Sequence, residues 1–424
     1  MTMMTILKPF LIAAALTFAG VSVTLSAHAQ VWQVTNRWSP SFEVKFGNFI
    51  RNLDLNLLAT NTGPWAKIPT DCADAAYTLR IIFAFENKLP VSFRSWKGRL
   101  SQDMQDLNDI QDPIKRVRKF IARVNSFTNT RTLVTDTYPL AINRESIRPG
   151  VMFLHPQGDA SVPLTYRAGH VYYLQFVGEN GIIRYVSSTV PADIRPLDPR
   201  NGIIFSPMET DGGYRAWVWP DDASRIGYSN EQFEIGDWRA KSYRDSRAWY
   251  EWQREIAARV RTREPTPEEQ IRAQLENLTV VIENRAKAVR AGWNFYQKNY
   301  QPGQCMSEKD YENYSTPTRD VKVQLELQHF EVAAQRYVDS MGNAWGRDQR
   351  SRLNQFFRKV SFEVLPGVKV DINNLNQAFL TETTLIISEP EHSPEVRWGL
   401  KEQGRWPCPH RAKAYVGGER IQQQ

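Results

Sequence analysis

Two strand-like runs joined by a tight turn constrain this chain most. Val171 to Val177 (VYYLQFV) and Ile182 to Val190 (IIRYVSSTV) flank Glu179-Asn180-Gly181. Asn-Gly between apolar runs supplies the positive-φ residues that a hairpin needs, so the pattern predicts antiparallel pairing. Further short strands are expected at 151–154 and 214–219, and an apolar run lies at 203–205. Residues 148–235 therefore read as a run of short strands.

Helical patterns lie on both sides of it. Phe42, Phe46, Phe49, Leu53 and Leu57 recur at three- and four-residue spacings over 41–58, as on one face of a helix. Thr70-Asp71 opens a second helix, Cys72 to about Asn87, which ends before Leu89-Pro90. Pro113 to Val124 is a charged helical piece within 91–147. After about 235 the chain turns helical. Thr266-Pro267-Glu268-Glu269 joins a cap, a first-turn proline and a reciprocal glutamate, and starts a helix to about Tyr300. Thr316-Pro317 begins another, to about Ser340, with a further helix through Phe357. Strands are expected again at 359–388, before an irregular tail. The fold class is α+β, with a mainly helical region after the sheet.

The N-terminus reads as an export signal. Lys8 precedes an apolar run from Phe10 to Val23, and Ala27-His28-Ala29 places small residues at a cleavage site before Gln30. Residues 1–29 are thus a signal peptide and the mature chain is exported to the periplasm or the outside of a bacterium. No later stretch reaches the ~18 apolar residues of a membrane span, so no stable membrane insertion is expected after cleavage. Removal of Lys8 lowers the net charge from +7 to +6. That mild excess suits an anionic envelope polymer, and with export it argues against nucleic acid. Two readings stand for Cys305 and Cys408: a disulfide in an oxidising compartment, or two free thiols.

Cys72 is the candidate nucleophile. It stands at a helix start, where the dipole and free N–H groups favour a thiolate. Asp71 and Asp74 oppose this if they face the sulfur. Packing as a small buried hydrophobe is the alternative role. His170 is the candidate base, opening a strand behind Gly169, which lets another element approach closely.

These residues together resemble a family. Asp71-Cys72-Ala73 at a helix start, Leu89-Pro90, Pro149-Gly150 before a strand, Gly169-His170-Val171 before another, and the Asn180-Gly181 turn follow the order of the NlpC-type cell-wall cysteine peptidases. The resemblance covers about residues 65–190. It implies a papain-like domain over 31–235, with 91–147 as an insertion; the residue pattern beyond it reads as a helical domain over 236–358, then short strands and an irregular tail over 359–424. It implies that a Cys-bearing helix packs on an antiparallel sheet, with the His on the next core strand and a polar residue on the neighbouring one. Ala73-Asp74 stands where the family has Ser-Gly, and Val151 where it has Asp. The strand 182–190 holds no His, Asn or Gln, so Ser187 (with Ser188 beside it) is the candidate third member.

The activity so implied is hydrolysis of amide bonds in peptidoglycan peptides. His170 takes the proton of Cys72, and the thiolate attacks a carbonyl. N–H groups at the helix start, between Asp71 and Ala73, hold the oxyanion. Two alternatives remain: an inactive papain-like module that binds cell-wall or envelope partners, and an acyltransferase using the same pair. No metal or other cofactor is expected, since no HExxH or paired-Cys motif is present.

Other candidates are weaker. His155, in Leu154-His155-Pro156, is a substitute base or a loop residue. Glu389, Glu391, His392 and Glu395 read as a solvated turn or a divalent-ion site. The Arg- and Trp-rich stretch 238–263 reads as an amphipathic helix with Arg paired to Asp245, Glu251 and Glu255, or else as a polymer-binding surface.

Overall fold

The computed structural model describes residues 30–156, 169–188, 194–201, 210–222, 224–235, 246–342, 351, 356–379, 389–402, 408, 415–416 and 419–420. The export signal, the apolar run at 203–205 and the strand expected over 380–388 lie outside them.

The structure is α+β. Its centre is a six-stranded antiparallel sheet built from β3 (Thr137–Pro139), β4 (Met152–His155), β5 (His170–Val177), β6 (Ile183–Ser187), β7 (Asp198–Asn201) and β8 (Gly213–Trp217). The spatial order is β3-β8-β4-β5-β6-β7. β5 and β6 form the expected hairpin, with Gly181 at φ +77° in its turn.

One sheet face carries α1 (Pro40–Arg51), α2 (Cys72–Glu86) and α3 (Pro113–Phe127). α1 is shorter than its periodicity predicts. Asn52 caps it, bonding Asn48 O through Nδ2, and Asp54 Oδ1 then accepts from Asn56 N–H at 2.9 Å. Such local side-chain bonds compete with helix continuation. α1 passes tightly over the Pro149-Gly150 turn. A Cβ on Gly150 would lie 2.9 Å from Gly47 Cα, and Gly150 sits at φ +86°, a backbone region that favours glycine.

The segment 91–147, expected as an insertion, contributes to this core. It forms the hairpin β1 (Ser92–Ser95) and β2 (Gly98–Ser101), then α3, α4 (Thr130–Asp136) and the edge strand β3, which pairs with β8. Val117, Phe120, Ile121 and Val124 fall on one face of α3 and share a core with α2, as the 3.6-residue period requires.

The other sheet face is covered by α5 (Ser246–Val260). Trp252, Ile256 and Val260 pack with Phe153, Tyr172, Tyr185 and Tyr214. The expected boundary at 235 therefore cuts through one core, because α5 belongs with the sheet. Arg254 and Arg259 pair with Glu251 and Glu255, as the amphipathic reading of that stretch expects.

The helical region has its own core around α6 (Pro267–Asn299) and α8 (Pro317–Ser340), with α7 (Glu308–Tyr314) between them in sequence. The Thr266–Glu269 capping box forms as predicted. β9 (Ser361–Leu365) and β10 (Val368–Asp371) make a hairpin. A helix, α9 (Ile372–Phe379), then replaces the expected continuation of strands. Asp371 Oδ1 accepts from Asn374 N–H at 2.8 Å, an N-terminal cap. Ile372, Leu375 and Phe379 then bury on one helical face.

Cys305 and Cys408 form a disulfide. The acidic turn at 389–392 is buried rather than solvated: Glu389, Glu391 and His392 are at most 4% exposed. Glu391 Oε1 accepts from Met306 N–H at 3.0 Å. No cluster able to hold a metal ion occurs among the described residues. No helix among them is long and apolar enough to cross a membrane.

Candidate functional site

Cys72 is the first residue of α2. Asp71 caps the helix: its Oδ1 accepts from Asp74 N–H at 2.9 Å, and Asp74 Oδ2 accepts from Asp71 N–H at 3.2 Å. The charges of both carboxylates act on the sulfur. Ser188 Oγ donates to Thr70 O at 2.7 Å and anchors the residue before the cap to the end of β6. Ala73 is buried in the core below.

The thiol is enclosed. Cys72 Sγ donates to Gly169 O at 3.4 Å. Burial pushes the thiol up to about 12, and Asp71 adds to the rise, as does Asp74. The Val171 N–H and the Lys322 ammonium pull the other way, each more than Asp74 adds. A thiol with this pKa is protonated at neutral pH. The cavity beside it, lined by Ala76, Val171, Tyr173, Ser187 and Leu197, measures about 10 Å³. One water needs roughly 10–15 Å³.

His170 begins β5 as expected, and Gly169 permits a close approach. A Cβ on Gly169 would collide with the Thr130 side chain of α4. The imidazole, however, takes the sheet face away from α2. Val171 and Tyr173 pack in the core that holds Cys72, and Tyr173 OH donates to Ala76 O of α2 at 2.9 Å. Tyr172 and Leu174 pack in the core under α5. Side chains alternate along a strand, which puts His170 with Tyr172. Its ring centroid lies 6.4 Å from that of Tyr172 and 6.3 Å from that of His155, its cross-strand partner on β4. The structure thus brings Cys72 to the Gly169–Val171 backbone, and His170 to His155.

His155 ends a strand, as expected. Burial lowers its pKa to about 4, and the charge of Lys322 contributes. Ser187 Oγ donates to Val171 O, so its hydrogen serves the backbone.

Two neighbours carried no local signal in the sequence. Asp198 on β7 stands opposite Ser187, is 8% exposed and accepts from Asn284 Nδ2 at 3.0 Å. Lys322 arrives from α8 and bonds Tyr172. Both are placed by contacts between residues distant in sequence. No family model, curated protein or solved structure matches the chain.

Proposed function

We propose that the mature chain is an exported envelope protein whose papain-like module of NlpC type binds a cell-wall or other anionic envelope polymer without cutting it. The enclosed, protonated thiol carries this reading. A nucleophile needs a thiolate, a partner base within hydrogen-bond reach and room for a carbonyl. Cys72 has a backbone carbonyl as its acceptor and a cavity of about 10 Å³. The order of helix, β4, β5 and β6 supports the papain-like, NlpC-type assignment. The basic mature chain supports an anionic partner.

A second reading, a cysteine peptidase, amidase or acyltransferase, is favoured by one observation. Cys72 heads α2 within bonding distance of Gly169, the residue before His170. A rearrangement of the 169–171 backbone would join the two side chains.

Purified peptidoglycan incubated with the protein and with Cys72→Ala separates the readings. The binding reading expects both to co-sediment with the polymer and neither to release peptides. Fragments from the wild type alone overturn it. So does alkylation of native Cys72 by iodoacetamide at pH 7.5 faster than that of the urea-unfolded chain.

A further inference from the structure

Outside the Cys72 region a cavity lies between β6 and the helices α5 and α6. Its volume is about 190 Å³. Typical small-molecule pockets measure roughly 300–1,000 Å³, so this one suits a ligand of about one ring. The floor is apolar, made by Ile183, the Tyr185 ring and Ala257. The hydroxyls of Tyr185 and Tyr214 bond each other at 2.6 Å.

Five carboxamides line the walls: Asn180 from the β5–β6 turn, Gln253 from α5, and Gln270, Gln274 and Asn277 from α6. Gln253 Oε1, Gln274 Oε1 and Asn277 Oδ1 are all buried and receive no hydrogen bond from a described residue. Asn277 is 2% exposed. A buried acceptor left unmet is destabilising, and three in one cavity are a set of acceptors awaiting donors.

The charges at the cavity are matched within the protein. Arg261 pairs with Glu264, and Arg254 with Glu251 at 2.8 Å. The site therefore carries no excess charge for an ionic ligand. Glu264, with a 74% exposed side chain, marks the solvent side.

We infer that this cavity binds an uncharged saccharide ring. Vicinal hydroxyls supply donors to the three unmet carboxamide oxygens, and the apolar C–H face of the ring covers Ile183 and Tyr185. An amide supplies one N–H for each carbonyl it must also satisfy, which fits three clustered acceptors less well. The inference does not rest on the reading of Cys72, which lies on the other face of the sheet.

The test is ligand-observed saturation-transfer NMR and calorimetry on the full chain, with glucose, galactose, N-acetylglucosamine and, as the amide probe, N-acetylalanine amide. At least one sugar is expected to saturate. Gln274→Leu and Gln253→Leu, on different helices, are each expected to weaken it about tenfold or more. Both are expected to melt no lower than wild type, because each removes an unmet buried acceptor. Failure of every sugar to saturate overturns the inference. Unchanged sugar affinity in both folded leucine variants, or binding of the amide alone, overturns it as well.

Discussion

Lys322 Nζ donates to the Tyr172 hydroxyl at 2.9 Å. A lysine of the helical region thereby meets the strand that begins with His170. Its ammonium also lies over the Tyr172 ring, 5.5 Å from the centroid. The helical region is thus joined to the sheet face that carries His155 and His170, whereas Cys72 belongs to the face covered by α1, α2 and α3.

Lys322→Met removes the charge and keeps an unbranched side chain. Burial, the main cause of the low His155 pKa, stays in place. His155 is expected to titrate above its present value of about 4 and still below the ordinary 6.5. Neutral His155 favours the fold above pH 6.5, and that contribution is lost as the pH falls through about 4. The variant should lose it at a higher pH. Imidazole carbon shifts followed by NMR from pH 3.5 to 7.5 read this directly.

Asp136 has the opposite sign. It accepts from Tyr77 OH and from Arg94 N–H, both at 2.9 Å, and burial raises its carboxyl to about 7. An unfolded Asp releases its proton near 3.8, so this group's contribution is full below that pH and is lost as the pH rises through about 7. Asp136→Asn keeps an acceptor for Arg94 and offers Tyr77 a donor. It should raise the urea midpoint at pH 8 more than at pH 5. Part of the pH slope should persist, because burial and the Asp71 charge also raise Asp74 to about 7.

Gly169→Ala should cost about 1–3 kcal/mol by overpacking against Thr130. In a Thr130→Gly background the same change should cost much less. A double-mutant cycle from chemical denaturation gives the coupling. Equal costs in both backgrounds would show that the two elements are not in contact.

The Cys305–Cys408 bridge closes a separation of 103 residues. Cys305→Ser should destabilise the helical region by about 2–5 kcal/mol. Hydrogen exchange should report this as faster opening of α6 and α8, with the β4–β6 strands little affected. Uniform loss of protection across the sheet would mean that the two regions unfold together.

The elements themselves were legible in contiguous residues. The Asn180-Gly181 hairpin, the Asp71 start of α2 and the Thr266–Glu269 start of α6 rest on caps, turns and short-range periodicity, which a few neighbouring residues carry. Where nearby polar side chains compete for the backbone, as at Asn52, Asp54 and Asp371, the same local reading ran one element too long or chose the wrong type. The positions of Cys72 and His170 were equally visible: one heads a helix, the other opens a strand.

Their relation was not visible. A strand presents alternate residues to its two faces, and only packing decides which face a given helix covers. Tyr173 reaching Ala76 puts Val171 and Tyr173 on the α2 side, and that turns His170 toward His155, α5 and Lys322. The placement of Lys322, Asp198, Gln274 and Asn277 has the same origin. The sequence by itself determined those helices and strands whose caps, turns and short-range periodicity lie in neighbouring residues. The tertiary structure decided which side chains share a space, because burying apolar faces joins segments that are one or two hundred residues apart.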